Sequence, residues 1–390
     1  MSNLNLVEEN KKYEYVSFSK PSLETELSKL IDSSRNWSPI KGERIKKFNF
    51  SQLKENTINN FKFGLSSNKN TQPLAESILE ILLLDEYRKG PIENILNNKE
   101  EFLLKIEAKI SKNEPIEIVI PAFPGRPSNP ITHLRVKPDL GELASFVRLW
   151  EISEHISTVY KPGANFIISL DGRAYCPFYG YTPEAEYPYP TDLQNYIDQL
   201  NIQKHVKLVD LQSLVDERID EFNKIYPLVE SELKEEWKKE NYSFRDELID
   251  SMKLGTNTAA IHAAVIKMLK YYNDSTDIVK IVEEMRSAVY ENAYNTAFAY
   301  MCFLVTIRRM DLIKKKFPEA IRATVHPKEG QYSPYLVNSS TKIVPWHGVA
   351  ILRKNGRIDS VYESEILEDP QRYKAIYIEN DYTPFYYEEK

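Results

Sequence analysis

Polar and charged side chains that suit acid–base chemistry follow three apolar, strand-like segments of this chain. The segments with their polar ends are IEIVIPAFPGRPSNP at 116–130, FIISLDGRAY at 166–175 and IRATVHPKEG at 321–330, and VPWHGV at 344–349 follows soon after. Together they supply arginines, an aspartate and two histidines. These residue types suit an enzyme that binds a small anion, in particular a phosphorylated one, and moves protons on it.

The loop after the first strand contains Arg126, Ser128 and Asn129. Four prolines and a glycine between Pro121 and Pro130 exclude a helix there. An arginine on a proline-stiffened loop can hold phosphate or carboxylate through two parallel hydrogen bonds. An ordinary rigid surface loop with Arg126 in solvent explains the pattern equally well. We take the three side chains as candidate substrate ligands.

Asp171 and Arg173 follow the second strand in an Asp-Gly-Arg sequence. Asp-Gly is a frequent turn pair, which is the purely structural interpretation. Open α/β sheets, however, bind ligands in the crevice beyond the carboxyl ends of their strands. Asp171 is therefore a candidate proton acceptor that orients an amine, and Arg173 is a candidate anion ligand.

Arg322 and His326 lie four residues apart, so both side chains face the same way if this segment is one strand. A cation beside an imidazole suits phosphate binding with proton transfer. A single histidine is more often a hydrogen-bonded core or edge residue, but His347 adds a second imidazole in another strand-end motif. Its neighbour Trp346 offers a surface for stacking, although packing in the core is the simpler role.

Glu142 stands three residues after Asp139, which is the spacing of a capping box at the start of a helix. That role is the favoured one for Asp139. Glu142 is kept as a candidate general base.

The elements that must position these residues alternate between strand and helix. Apolar runs predict strands at 116–120, 165–170 and 206–209, and an amphipathic stripe over 142–158 predicts a helix between the first two. This β–α–β order makes the strands parallel. Residues 211–317 have an almost wholly helical pattern and are predicted to form a helical insertion.

Strands are predicted to return at 320–325, 344–353, 357–363 and 374–378, with a hairpin turn at Lys354-Asn355-Gly356. Residues 1–70 are polar, and we predict an N-terminal extension with one helix near Ser22–Ser33. Residues 71–390 are then a single α/β catalytic domain with a mostly parallel sheet.

Composition narrows the functional classes. The chain has 390 residues, 28% charged and 42% hydrophobic, with a net charge of -6, which is typical of a globular protein and argues against nucleic acid as a partner. Its two cysteines suit a reducing cytosol. We see no secretory signal, and the longest apolar stretch, 297–307, is shorter than the roughly 20 residues that a membrane helix needs. A cytoplasmic protein is expected.

Several well-known motifs are missing from the sequence. There is no HExxH spacing for zinc, no GxGxxG or GxxxxGK[ST] cradle for nucleotides, and no GxSxG elbow. The residues therefore predict an enzyme that acts on a small anionic substrate, with no obvious cofactor.

Taken in order, these motifs resemble the pyoverdine/dityrosine biosynthesis family, whose bacterial members include the isocyanide (isonitrile) synthases. The matching pieces are Phe123–Pro130, Pro138–Glu142, Ser169–Arg173, Arg322–Pro327 and Pro345–Val349. Each piece is weak alone, but five in the right order are improbable by chance. The resemblance covers roughly residues 75–365.

The resemblance implies a Rossmann-like α/β fold and a metal-independent reaction. The amine of an amino acid, usually tyrosine or tryptophan, would condense with the C2 carbonyl of ribulose 5-phosphate, and that sugar carbon would become the isonitrile carbon. No cofactor is expected for this step of secondary metabolism. Any later oxidation would need a separate oxygenase.

The resemblance also implies a role for each candidate residue. The carboxylates would orient the amine and shuttle protons, and the histidines would act as acid–base groups or phosphate ligands. Arg126, together with Arg173 or Arg322, would hold phosphate or carboxylate.

The sequence departs from the family pattern around this site. Arg126 replaces the usual lysine, and a guanidinium that stays protonated cannot act as a nucleophile. Pro127 and Ser128 reverse the usual bacterial order, and Thr132–Arg135 replaces a KVLG-like stretch. Two alternatives therefore stay open: a diverged member that makes an N-formyl or other N-modified amino acid, and a non-catalytic small-molecule-binding protein.

Overall fold

The computed structural model describes residues 42–60, 73–126, 132–179, 188–239, 245–252, 286–341, 343–378, 381 and 383–390. The helix predicted near Ser22–Ser33, part of the predicted helical insertion and the candidate ligands Ser128 and Asn129 lie outside these residues.

The described residues alternate between helices and strands in the order that the sequence predicts for an α/β protein. The helices are α1 (Phe50–Asn60), α2 (Leu74–Leu83), α3 (Glu93–Leu96), α4 (Lys99–Lys112), α5 (Leu140–Ser157), α6 (Gly172–Tyr175), α7 (Pro188–Leu200), α8 (Leu211–Asp216), α9 (Ile219–Trp237), α10 (Arg245–Met252), α11 (Arg286–Met310), α12 (Leu312–Lys316) and α13 (Glu363–Glu368). The strands are β1 (Gly42–Ile45), β2 (Ile116–Ala122), β3 (Ala164–Leu170), β4 (Val206–Asp210), β5 (Ile321–Arg322), β6 (Val349–Leu352), β7 (Ile358–Val361), β8 (Tyr373–Ile378) and β9 (Tyr386–Glu389).

A parallel sheet with strand order β4-β3-β2-β5 forms the centre of the molecule. The predicted β–α–β unit is confirmed, because α5 connects β2 to β3 and the two strands run parallel in register. Both strands are apolar on both faces, as expected for a sheet that helices cover on each side. Side chains alternate between the two faces, so Ile118 and Ile168 meet one core while Val119 and Ile167 meet another.

The two faces of this sheet are covered by different parts of the chain. On one face lies α5, with Leu143, Phe146 and Trp150 in the core. On the other face lies the helical insertion, and its core residues include Leu214 of α8 and Phe303 of α11. The helical insertion is therefore confirmed over the described part of 211–317.

The strands near the C-terminal end form a second, mixed sheet with the order β1-β8-β9-β6-β7. The predicted hairpin joins β6 to β7, and Gly356 makes its turn with a φ of 79°. Five of the seven strand pairs in the described residues are parallel, which agrees with the α/β class and a mostly parallel arrangement. Only β5 among the late strands joins the central sheet.

Part of the predicted N-terminal extension packs into the domain. Strand β1 pairs in parallel with β8, and Phe50 at the start of α1 belongs to the main core. No helix of the described ranges has both the length and the apolarity to span a membrane.

Candidate active site

Arg126 lies just beyond β2, and it is buried, with 3% of its surface exposed. Its Nη1 donates to both oxygens of Glu142 at 2.8 Å, and its Nη2 donates to Oδ2 of Asp139 at 3.2 Å. The carbonyl oxygens of Gly348 and Pro345 accept from the same guanidinium at 2.7 and 3.3 Å. Arg126 thus joins the end of β2 to the first turn of α5 and to the turn that carries His347.

The predicted capping box explains why both carboxylates point at Arg126. Asp139 is the N-cap of α5 and accepts from the backbone N–H of Gly141 at 2.6 Å, while Glu142 accepts from the backbone N–H of Asp139 at 2.8 Å. The capping role of Asp139 is confirmed. Tyr189 also donates to Glu142, at 3.0 Å.

Electrostatics keep this buried group close to neutral. Burial and the nearby Glu142 raise the pKa of Asp139 to about 7, against the opposing effect of Arg126. Burial acts to raise the pKa of Glu142 as well, but Arg126 and hydrogen bonds lower it. A substrate anion that bound Arg126 would have to replace these partners and leave buried carboxylates unpaired, which is costly.

His347 lies in the short 3₁₀ turn Pro345–His347 that Arg126 holds. Its ring is exposed to solvent, yet desolvation by the surrounding protein, with the charges of His326 and Arg126, lowers its pKa to about 4. The imidazole is therefore neutral at neutral pH and can accept a proton or a hydrogen bond.

His133 is a third imidazole at this place, and the sequence analysis did not select it. It is 2% exposed, and its Nδ1 has no hydrogen-bond partner among the described residues. Burial, Arg126 and His347 all lower its pKa. His133 lies in the stretch that departs from the family pattern, and that departure was the signal that could have identified it.

Asp171 directly follows β3, at the carboxyl end of a central strand. Its side chain makes no capping bond, and its Oδ1 is buried without a hydrogen-bond partner in the described part of the chain. Burial raises the pKa of Asp171 to about 7, against a smaller lowering by its own backbone N–H. A desolvated carboxyl with a spare acceptor at a strand end has the properties of an acid–base group.

Ser169 and Arg322 face the same side of the sheet as the helical insertion. Ser169 alternates with Ile167 on that face, and Arg322 pairs in register with Val119, which also belongs to that core. Ser169 Oγ and Arg322 Nε are both buried, and neither has a hydrogen-bond partner within the described ranges. Buried polar atoms are almost always bonded, so with Asp171 they indicate a polar binding site on this face.

Arg322 and His326 do not share a strand, and that prediction was wrong. Strand β5 ends at Arg322, and the chain then turns away, with Thr324 bonded through its backbone N–H to Tyr332. His326 is exposed, and its charge acts on His347. The two histidines therefore approach each other, while Arg322 faces the helices.

Arg173 and Trp346 have partners of their own. Arg173 Nη1 donates to Asp210 at 2.7 Å, and Asp210 is the N-cap of α8. Trp346 is 4% exposed and packs against Phe123 with ring centroids 4.7 Å apart, which agrees with a packing role. No three His, Cys, Asp or Glu side chains of the described residues are grouped so that they could hold a metal ion.

Comparison with known proteins places these clusters in one family. The family model described as pyoverdine/dityrosine biosynthesis protein matches residues 106–374, which contain every strand-end cluster described above. The chain belongs to this family. The family predicted from the five motifs is thereby confirmed.

Two relatives of this chain have names that describe an enzyme activity. An L-tyrosine isonitrile synthase from Xenorhabdus nematophila is 24% identical over 64% of this chain and 71% of that protein. An L-tyrosine isonitrile synthase from Pseudomonas aeruginosa is 25% identical over 68% of this chain and 78% of that protein. The crystal structure of the PvcA protein from Pseudomonas aeruginosa shares the fold, with a TM-score of 0.63, 22% identity and coverage of 82% of this chain and all of that one.

Proposed function

We propose that this protein is an isonitrile synthase that joins the nitrogen of an amino acid to a carbon of ribulose 5-phosphate. Asp171 carries the proposal, because it is a desolvated carboxyl in an Asp-Gly-Arg sequence at the end of a central parallel strand, inside the region that the family model matches. The names of the relatives support isonitrile synthesis. The proposed reaction needs neither metal nor organic cofactor and belongs to cytoplasmic secondary metabolism, with a separate oxygenase for later steps.

Asp171 would act first as a base. The amino group of an amino acid is protonated at neutral pH and must lose a proton before it attacks the C2 carbonyl. A carboxylate with a pKa of about 7 can take that proton. The N–C2 bond then forms as the C2–O π bond breaks, and a proton passes from the nitrogen to the oxygen to give a hydroxyl. Asp171, now protonated, gives its proton to this hydroxyl, which leaves as water. The product is a protonated imine, whose N–H proton the Asp171 carboxylate can then accept.

The two histidines and Arg322 would bind and orient the sugar. His347 is neutral because its pKa is about 4, so it would accept a hydrogen bond or a proton from a substrate hydroxyl. His326 stands beside it on the exposed side. Arg322, with its unpartnered Nε, would bind the anionic end of a substrate.

The buried hydrogen-bond network around Arg126 would support the site without contacting the substrate. Arg126 and Glu142 hold the turn that carries Trp346 and His347, so they would act on the substrate through that turn. Arg173 would order the segment after Asp171 through its pair with Asp210. Ser128 and Asn129, which follow β2 in the sequence, remain proposed substrate ligands.

Product analysis tests the proposal. The purified protein is incubated with ribulose 5-phosphate labelled at C2, a pool of amino acids and a tetrazine that traps isonitriles, and the products are identified by mass spectrometry. We expect a trapped adduct that carries the label and names the amino acid. Consumption of an amino acid with an N-formyl product would show a diverged reaction, and no consumption would point to a non-catalytic binding protein.

A further inference from the structure

Three cationic residues belong to strand β5, to the loop that follows it and to helix α11 of the helical insertion. Arg322 is the last residue of β5, Arg308 lies in the last turn of α11, and Lys328 lies in the loop after β5. We call these three residues the cation cluster. Desolvation lowers the pKa of Lys328, and the charges of Arg308 and Arg322 lower it further, so both arginines lie within electrostatic range of the lysine.

Carboxylates compensate the cation cluster only in part. Arg322 Nη1 lies 3.9 Å from Oδ1 of Asp311, which is too far for a hydrogen bond, and its Nε is buried without a partner in the described residues. The side chains of Arg308 and Lys328 form no ion pair within the described ranges, and the pKa of Lys328 is affected only by burial and by other cations.

Other arginines of the structure that lie in the interior have close carboxylate partners. Arg126 has two, Arg135 lies 2.8 Å from Asp381, and Arg148 lies 2.8 Å from Glu151. Like charges at close range destabilise a fold, and a half-buried guanidinium without a bonded acceptor adds a desolvation cost. The cation cluster has both the repulsion between like charges and the uncompensated desolvation. Both are expected for groups that bind an anion from outside the chain.

We propose that Arg308, Arg322 and Lys328 bind the phosphate group of the sugar phosphate substrate. The identity of that sugar phosphate rests on the proposed function. The three cations and Asp311 leave a net charge of about +2, which matches a phosphate monoester with a charge of about −1.5 to −2 better than a single carboxylate. The guanidinium groups offer paired donors, and the lysine adds a mobile point charge.

This position also suits the distance to Asp171. Strand β2 lies between β3, which Asp171 follows, and β5, which ends in Arg322. Arg322 is level with Ile167, four residues before Asp171, so the two backbones are roughly 16 Å apart. The long Arg322 side chain spans part of this separation, and an extended five-carbon sugar phosphate can bridge the rest, with its phosphate at the cation cluster and its C2 carbonyl near Asp171.

Calorimetric titration without amino acid tests the site separately from turnover. Ribulose 5-phosphate and inorganic phosphate are titrated into the wild type and into the variants Lys328→Gln and Arg308→Gln. We expect each variant to bind ribulose 5-phosphate about tenfold more weakly, as for the loss of one charge-assisted hydrogen bond. Unphosphorylated ribulose should bind the variants and the wild type alike.

Matched controls remove a charge of the same type elsewhere. Arg309→Gln changes the next residue of α11, which pairs with Glu232, and Lys354→Gln changes an exposed lysine in the β6–β7 turn. Both controls should bind ribulose 5-phosphate as the wild type does. All four positions are exposed, so folding should survive each substitution.

The possible results separate the phosphate site from the proposed function. Wild-type affinity for ribulose 5-phosphate in Lys328→Gln and Arg308→Gln would overturn the site, even if isonitrile is formed. Weaker binding of the amino acid instead of the sugar phosphate would overturn it too, because the cluster would then hold a carboxylate. Weaker phosphate binding in a protein that forms no isonitrile would support the site and reject the proposed function.

Discussion

Two groups of cations beside the parallel sheet differ in how their charge is compensated. On the side of α5, Arg126 is buried and bonded to two carboxylates and to backbone carbonyls. On the side of α11, the cation cluster has one carboxylate nearby among the described residues, Asp311, and it lies beyond hydrogen-bond distance of Arg322. A fully compensated charge stabilises the structure around it but is not available to a ligand. A poorly compensated charge costs stability and is available to bind.

The difference can be tested first by removing the compensated charge. Arg126→Met should lower the free energy of unfolding by about 3–5 kcal/mol, because it leaves Asp139 and Glu142 buried without their cation. Urea denaturation measures this change. Arg309→Met, which breaks an exposed pair with Glu232, is the control and should leave stability unchanged. Equal unfolding midpoints for the two variants would refute the structural role of Arg126.

Asp171 provides a second test, because its carboxyl accepts no hydrogen bond from another side chain of the described residues. Asp171→Asn should reduce turnover by about a hundredfold or more while the fold is retained, as for the loss of a general acid–base group. Steady-state rates and the circular dichroism spectrum measure the two effects. A fully active variant, or one that does not fold, would remove Asp171 from the catalytic residues.

The raised pKa of Asp171 also predicts a pH dependence of stability. Its pKa is about 7 in the folded protein against 3.8 as its ordinary value, so the folded state binds the proton more tightly. The contribution of Asp171 to the free energy of unfolding is therefore fully present below pH 3.8 and is lost as the pH rises through 7.

Comparison of the wild type with Asp171→Asn isolates this contribution. At pH 8 the variant should be more stable by roughly 1–2 kcal/mol, less than the full pKa shift implies because solvent screens a partly exposed carboxyl. At pH 4.5 the difference should be much smaller. Urea denaturation at both pH values measures the difference in stability between the two proteins. A difference that does not change with pH would contradict the raised pKa of Asp171.

The smallest expected effect concerns the cation cluster without ligand. Lys328→Gln should raise the free energy of unfolding by a few tenths of a kcal/mol, because it relieves the repulsion by Arg308 and Arg322. Added phosphate should raise the melting temperature of the wild type more than that of the variant. A clear loss of stability in Lys328→Gln would mean that the lysine is compensated after all.

Local patterns in the sequence were enough to predict much of the framework. Alternating and helical periodicities predicted β2, α5 and β3 and the helical insertion, and the spacing of Asp139 and Glu142 predicted the capping box. The five motifs identified the family. These features depend on residues a few positions apart, or on short segments in a fixed order, so a linear sequence contains them.

Only the tertiary structure decided which charged residues are already compensated. Arg126 and Arg322 look alike in the sequence, as arginines at strand ends. Arg126 is bonded to two carboxylates, whereas Arg322 keeps a buried donor with no partner among the described residues. The partners of Arg126 include carbonyls more than 200 positions away, and Arg173 finds Asp210 37 positions away. Whether a charge is compensated depends on its distance in space from opposite charges. The folded core sets these distances, and no local sequence pattern contains them.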